Sequence, residues 1–514
     1  MRLLSLHLLV LLLAGAGCAK NKGPASEGKT PADDARKATL LFTSDLWGQL
    51  EPCGCSADMR GGLDRAATFV AQERRKGPTL LIDAGDALFD SLSYRPDQEI
   101  QAKLKARAVA ASLQAMGLSA KAVFPRDEVD VDLLRKSFEQ GVLLDQPALR
   151  KVGAITIGLV PFDAGSETSD DAALAAIGER LQASRGSGAE ITVLLLHAPR
   201  QRAVRLGPAS GADLVVASQI QNIAEGEEAR AVLGGSPTFF VQARGQSILQ
   251  VEIVLRPGGG PLQVAGDEAS RDAEIESISE RIRSYEHRIA QYGDSPEAAP
   301  FREKRRELQH RRRALSEAPL PVPEEGSYLS WRFVPVTQDF PSDPKVKEIL
   351  ATYDREVAEA NLAFAKAEDR QCEAAAPGEA AFVGQASCAA CHPAAQAFWE
   401  TTAHAHAYET LEAINKQYDL NCISCHVIGW EAPGGPCRVD QVEGRKDVGC
   451  ESCHGPGSLH ASAPTEVKLP RAVPEASCRG CHTPEQSTDF DYPSYLQRIL
   501  GPGHGRPAAP PETK

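Results

Sequence analysis

Four pentapeptides in the last quarter of the chain fit Cys-x-x-Cys-His: CAACH (388–392), CISCH (422–426), CESCH (450–454) and CRGCH (478–482). Two thiols at that spacing can add as thioethers to the vinyl groups of one haem, and the imidazole that follows them becomes the proximal iron ligand. The pattern assigns Cys388, Cys391, Cys422, Cys425, Cys450, Cys453, Cys478 and Cys481 to covalent attachment. It assigns His392, His426, His454 and His482 to proximal ligation. One such pentapeptide in a Cys-rich chain could be chance, but four within 95 residues are not. A pair of zinc sites, built from four Cys or from three Cys and one His, would use the same residue types. It does not explain a His directly after every Cys pair.

Four further His follow residue 370: His404, His406, His460 and His504. They are candidate distal ligands, and four haems with four spare imidazoles permit two axial imidazoles on every iron. That arrangement suits electron transfer, because no coordination position stays open for substrate. A haem without a distal ligand would instead suggest catalysis. With few residues per haem and little apolar sequence, this region is expected to take much of its core from the haem faces and to be unfolded without them.

The elements that carry these residues differ sharply along the chain. From 38 to 257, short apolar runs alternate with amphipathic stretches: ATLLFTSD (38–45), TLLIDAGD (79–86), AITIGLV (154–160), EITVLLLH (190–197) and ADLVVAS (212–218), with helical patterns near 64–75, 99–115 and 171–185. That alternation predicts an α/β domain with a largely buried sheet. SPTFFVQA (236–243) and SILQVEIVL (247–255), separated by a Gly-containing turn, predict a closing hairpin. Ile275, Ile278, Ile282, Tyr285, Ile289 and Tyr292 form a heptad seam, and after a break at 293–300 a second seam follows with Phe301, Leu308 and Leu315. An antiparallel helical hairpin over 268–316 is expected, serving as spacer, docking arm or plain surface. A returning strand and long helix (327–367) and a linker (368–381) lead to the haem region (382–505) and a tail (506–514).

The formal net charge is -13, which argues against nucleic acid as a partner, since phosphate binding needs a positive surface. Hydrophobic residues at 42% and charged residues at 24% exclude wholesale disorder. Residues 1–17 read as a secretory signal whose apolar core is too short to span a membrane. Cys18 after the small residues Ala14 to Gly17 resembles a bacterial lipobox, departing from it at Gly15. The expectation is an exported envelope protein, lipid-anchored in the periplasm through Cys18, with a polar tether over 18–37. Ala19 in place of Asp points, by the same resemblance, to the outer membrane.

VGQASCAACH, HAHAYETL, QYDLNCISCH, GCESCHGPGSLH and SCRGCHTPEQSTDFDY together resemble the cytochrome c-554 family of multihaem electron carriers over roughly 380–505. The resemblance implies closely stacked haems and puts His404, His406 and His460 in distal positions. FTSDLWGQLEPCGC, GGLDRAATFV and LLIDAGD resemble the 5′-nucleotidase branch of the calcineurin-like metallophosphoesterases over about 38–255. Such enzymes hold two ions through Asp-x-His, Gly-Asp, Gly-Asn-His, a lone His and Gly-His-x-His. Here Asp45, Asp86 and His197 persist. Trp47 stands at the first His, Pro125–Asp127 at Gly-Asn-His, and Ser218–Gln221 at the last motif. With Arg126 beside three remaining ligands, no divalent metal is expected there.

The implied fold class is multidomain: a metallophosphoesterase-like α/β sandwich with a helical hairpin, followed by a mainly α and irregular tetrahaem cytochrome c domain. The implied function is electron carriage between redox donor and acceptor proteins by four covalent haem c groups, with the α/β domain used for docking. The competing readings are a metal-dependent phosphoesterase with an accessory cytochrome, and a multihaem oxidoreductase with one open haem. Cys53 and Cys55 remain open between a strained disulfide, a thiol pair, a soft-metal site and a disulfide with Cys372 or Cys437.

Overall fold

The computed structural model describes residues 35–52, 60–165, 169–219, 229–265, 298–318, 323–368, 370–483, 486–487 and 490–504, with 271, 275, 278–279, 281–286 and 289. Cys18, the signal, Cys53 and Cys55 lie outside the described residues, as does all but the end of the tether.

The strands are β1 (Arg36–Thr43), β2 (Thr79–Asp83), β3 (Ala120–Ala122), β4 (Leu143–Leu144), β5 (Ala148–Val152), β6 (Ile155–Asp163), β7 (Ile191–Ala198), β8 (Leu214–Gln219), β9 (Arg230–Val232), β10 (Thr238–Phe240), β11 (Ser247–Leu255), β12 (Gln263–Val264) and β13 (Tyr328–Pro335). They form two sheets, ordered β12-β13-β11-β1-β2-β3-β4 and β5-β6-β7-β8-β10-β9. Successive side chains on a strand face opposite ways, and both faces here are apolar. Leu40 and Phe42 of β1 enter the core between the sheets with Ile157, Val193, Leu195 and Phe239. Leu41 points outward onto the helices α1 (Leu63–Lys76) and α2 (Pro96–Ala115), meeting Val70, Val109 and Leu113 there. Leu194 and Leu196 of β7 face the opposite helix layer, which includes Ile177 and Leu206. The result is a four-layer αββα sandwich, the metallophosphoesterase-like architecture expected for this part of a multidomain chain.

Two expectations are corrected. β1 begins at Arg36, so Arg36 and Lys37 belong to the sheet and not to the tether, with Arg36 registered against Leu255. The runs at 236–243 and 247–255 do not form a hairpin. β10 pairs with β8 in one sheet while β11 pairs with β1 and β13 in the other. Arg244, at φ 58, and Gly245, at φ 68, turn the chain across the sandwich, and the Arg244 amide donates to the Asp45 carbonyl at 2.8 Å. The helix Ala299–Glu317 sets Leu308 against Ile278 and Ile282, the seam expected of the helical hairpin.

A long helix, Pro344–Glu368, packs on α2 through Leu350 and Tyr353 and leads into the haem-motif region. Helices there run to eight residues at most among the described residues. Its apolar cluster is small: Tyr408, Ile423, Val427, Val439 and Val442, joined to Ala365 of the long helix. A disulfide, Cys372–Cys437, ties the linker to the chain between the second and third motifs. No described helix is long and apolar enough to cross a membrane.

Candidate haem sites and a degenerate metal site

Each attachment motif lies on one short helical turn, so its two cysteines and its histidine project together. The turns are Gln385–Ala389 running into His392, Leu420–His426, Cys450–His454, and Glu475–Arg479 running into His482. The His426 ring places Nδ1 2.6 Å from the Ala407 carbonyl, His454 Nδ1 is 2.7 Å from that of Pro470, and His460 Nδ1 is 2.7 Å from that of Val467. An Nδ1–H bonded to a carbonyl fixes the tautomer and leaves Nε2 for a metal.

Three motif histidines each face a second imidazole. The ring centroids of His392 and His460, of His404 and His482, and of His454 and His504 each lie 6.3 Å apart. Metal–imidazole bonds are about 2 Å long and the ring nitrogen is about 1.1 Å from the ring centre, so two rings on opposite sides of one iron would sit roughly 6.3 Å apart. The residues therefore fit haem: the fold sets His392 opposite His460, His454 opposite His504 and His482 opposite His404. Burial pushes His404, His482 and His504 below the ordinary imidazole pKa, towards the neutral form that binds metal.

His406, expected as a distal ligand, is placed elsewhere. Its Nε2 is 3.1 Å from the Glu400 carbonyl oxygen and its Nδ1 is 3.3 Å from the Glu409 carboxylate, on the surface. On the same short 3-10 turn as His404, it points away from the motif that His404 meets. His426 faces no second imidazole among the described residues. The short helix of the third motif packs against those of the first and of the fourth.

Residues 387–455 match the family model of cytochrome c554 and c-prime. No curated protein matches the chain. Among solved structures, the chain is similar to the NAD nucleotidase of Haemophilus influenzae at 15% identity and TM-score 0.33, covering 44% of this chain and 54% of that one. It is similar to the sulfate thiohydrolase of Thermus thermophilus in complex with glycerol at 13% and 0.39, covering 63% and 61%. It is also similar to the 5′-nucleotidase precursor from Thermus thermophilus at 15% and 0.36, covering 68% and 63%. The chain thus spans between 54% and 63% of the length of these three structures.

In the α/β domain, Asp45, Asp86 and His197 converge at the C-terminal ends of β1, β2 and β7. Asp45 and Asp86 sit at φ 51 and 55, left-handed backbone that non-glycine residues adopt at some strain. The two turns are zipped together by Asp45 N to Gly85 O at 3.0 Å and Trp47 N to Asp86 O at 3.1 Å. Their side chains, however, are occupied by protein groups. His197 Nε2 approaches Asp86 Oδ2 at 3.2 Å and its Nδ1 meets Asp163 at 2.9 Å. Burial alone would lower the His197 pKa, but the two carboxylates outweigh it and lift it to about 9. Arg126 Nε lies 3.9 Å from Asp86, and its guanidinium stacks over Trp47. Ser218 donates to Asp45 at 2.9 Å from where the last ligand motif would lie. Asp127 accepts from the amides of Asp86, Ala87 and Leu88, and Lys121, fully buried, bridges it to Asp83 at 2.8 and 2.9 Å. His197 and Arg126 both lie against Asp86, so protein groups surround the carboxylate. Among the described residues, no group of three or more His, Cys, Asp or Glu could hold a metal ion.

The sequence did not mark the junction of the two regions. Gln101 of α2 donates to the Asp419 carboxylate that caps the second motif's helix, and accepts from Asn361 of the long helix at 2.7 Å and from Leu420 N at 3.0 Å. Arg95 and Arg370 converge on Glu431 at 2.7 and 3.0 Å. Lys416 is held by Glu51 and by Asp354, the latter at 2.9 Å. A cavity of about 260 Å³ lies here, lined by Gly48, Gln101, Lys105, Leu420 and Asn421 among others. The available signal was polar residues inside otherwise amphipathic helices, which is ordinary in any surface helix.

Proposed function

We propose that this protein is an exported electron carrier with four covalent haem c groups, anchored in the bacterial envelope through a lipid on Cys18, whose α/β domain docks the haem region and does not hydrolyse phosphate esters. The observation that carries the reading is the three histidine pairs at 6.3 Å, each joining a motif histidine to a distant one. Haem supplies one-electron redox chemistry when bound. The chain's part is to hold it. Eight cysteines attach it, four histidines ligate one face, and His460, His404 and His504 close the other face on three motifs. Outer-membrane sorting follows the lipobox resemblance, and redox donor and acceptor proteins are the partners.

Among the described residues no second imidazole faces His426, which favours a second reading, in which the second haem keeps an open face and binds a small ligand. One preparation tests both. Iron analysis and haem spectra are expected to give about four haems per chain, with three low-spin bis-histidine signals. Carbon monoxide or hydroxylamine binding to one high-spin centre would favour the second reading. Robust release of phosphate from nucleotides under added manganese or zinc would sink the proposal for the α/β domain.

A further inference from the structure

The second attachment motif is the one that the α/β domain grips, and a charge cluster sits in that grip. The Lys416 ammonium is 12% exposed and lies between Glu51, from the loop after β1, and Asp354 of the long helix. These two carboxylates hold Lys416 in its charged form although burial opposes it. The lysine is fixed relative to the motif: its carbonyl accepts from Asp419 N at 3.0 Å, and Asp419 caps the helix Leu420–His426. Lys416 and Asp419 thus stand six and three residues before Cys422, on the segment that leads into the motif. Charges in a shielded site are worth several times more than in water, and a haem's potential responds to burial and to nearby charge.

We propose that the Glu51–Lys416–Asp354 cluster sets the reduction potential of the second haem, which makes the α/β domain, through Glu51, a tuning element of that site. The inference rests on the haem-carrier reading given above. Reduction adds one electron, so a nearby cation stabilises the reduced form and a nearby anion opposes it. Glu51→Gln removes an anion and raises the potential. Lys416→Gln removes a cation and lowers it. The double variant falls between them.

The test is a redox titration of the purified full-length holoprotein, followed optically and by EPR, after iron analysis. One of four components is expected to move, by threefold to tenfold in its reduction equilibrium constant, tenfold being about 59 mV for one electron. The two single variants should move that same component in opposite directions while the other three stay in place. Gln101→Ala is the structural control, because it loosens the same junction without changing charge. Shifts of like sign, a common shift of all four components, no shift, or a Gln101→Ala shift as large as that of Glu51→Gln would each overturn the inference. A haem count well below four defeats the underlying reading instead.

Discussion

A single histidine on this chain is informative only through what it faces. His460, His404 and His504 face motif histidines at one common spacing, whereas His406 faces a carboxylate and a carbonyl. Replacing His460, His404 or His504 by Ala should each convert one low-spin haem to a high-spin signal in EPR. His406→Ala should leave the spectrum as it was, and a lost low-spin signal in that variant would contradict the assignment. His197 carries a different prediction. Its pKa in the fold, about 9, is raised above the ordinary imidazole value by Asp163 and Asp86 against the effect of burial. A group raised in this way stabilises the fold fully below its unfolded pKa of about 6.5 and loses that contribution as pH climbs through its folded pKa. The α/β domain should therefore lose about 1–3 kcal/mol between pH 6.5 and 9, and His197→Gln should flatten that slope in thermal unfolding. A wild-type profile as flat as the variant's would refute the charged imidazole.

At the scale of elements, the Cys372–Cys437 bridge closes a loop of 65 residues across the long helix's exit and the first two motifs. Chain-entropy arguments for a loop of that size give stabilisation of about 4 kcal/mol. The Cys372→Ser/Cys437→Ser variant should lower the denaturant midpoint of the haem region by a matching amount, and an unchanged midpoint would show that the junction's polar clasp suffices alone. Which elements could be read in advance follows from the range of the forces involved. β1, β2, β6, β7 and β8 announce themselves because a strand buried on both faces is a continuous apolar run. The runs around Phe239 and Val251 look the same whether they pair with each other or join two sheets, so local pattern misjudged them. The attachment motifs are local chemistry and legible at once. The distal histidines were legible as candidates, but their pairing depends on contacts between remote segments that no periodicity encodes. Lys121 inside β3 and Gln101 inside α2 are buried polar residues whose partners, Asp83, Asp127, Asn361 and Asp419, come from other elements.

Across the whole molecule, the two regions draw stability from different sources. The sandwich has four apolar clusters among the described residues, while the haem region has the small group around Tyr408 and Ile423. Chain made without haem should therefore keep a protease-resistant core over the α/β domain and be cut freely after about residue 380. Equal resistance of both regions would show that the haem region folds on its own. The disulfide has a further consequence, in the order of biogenesis. Of the ten cysteines after residue 370, Cys372 and Cys437 are the two outside the motifs. Left unpaired, either could be joined to a motif thiol by an oxidant before haem arrives, because a disulfide forms from two thiols only by loss of two electrons. Joined to each other, they leave the eight motif thiols free, the number that four haems with two vinyl groups each would need under the proposed function.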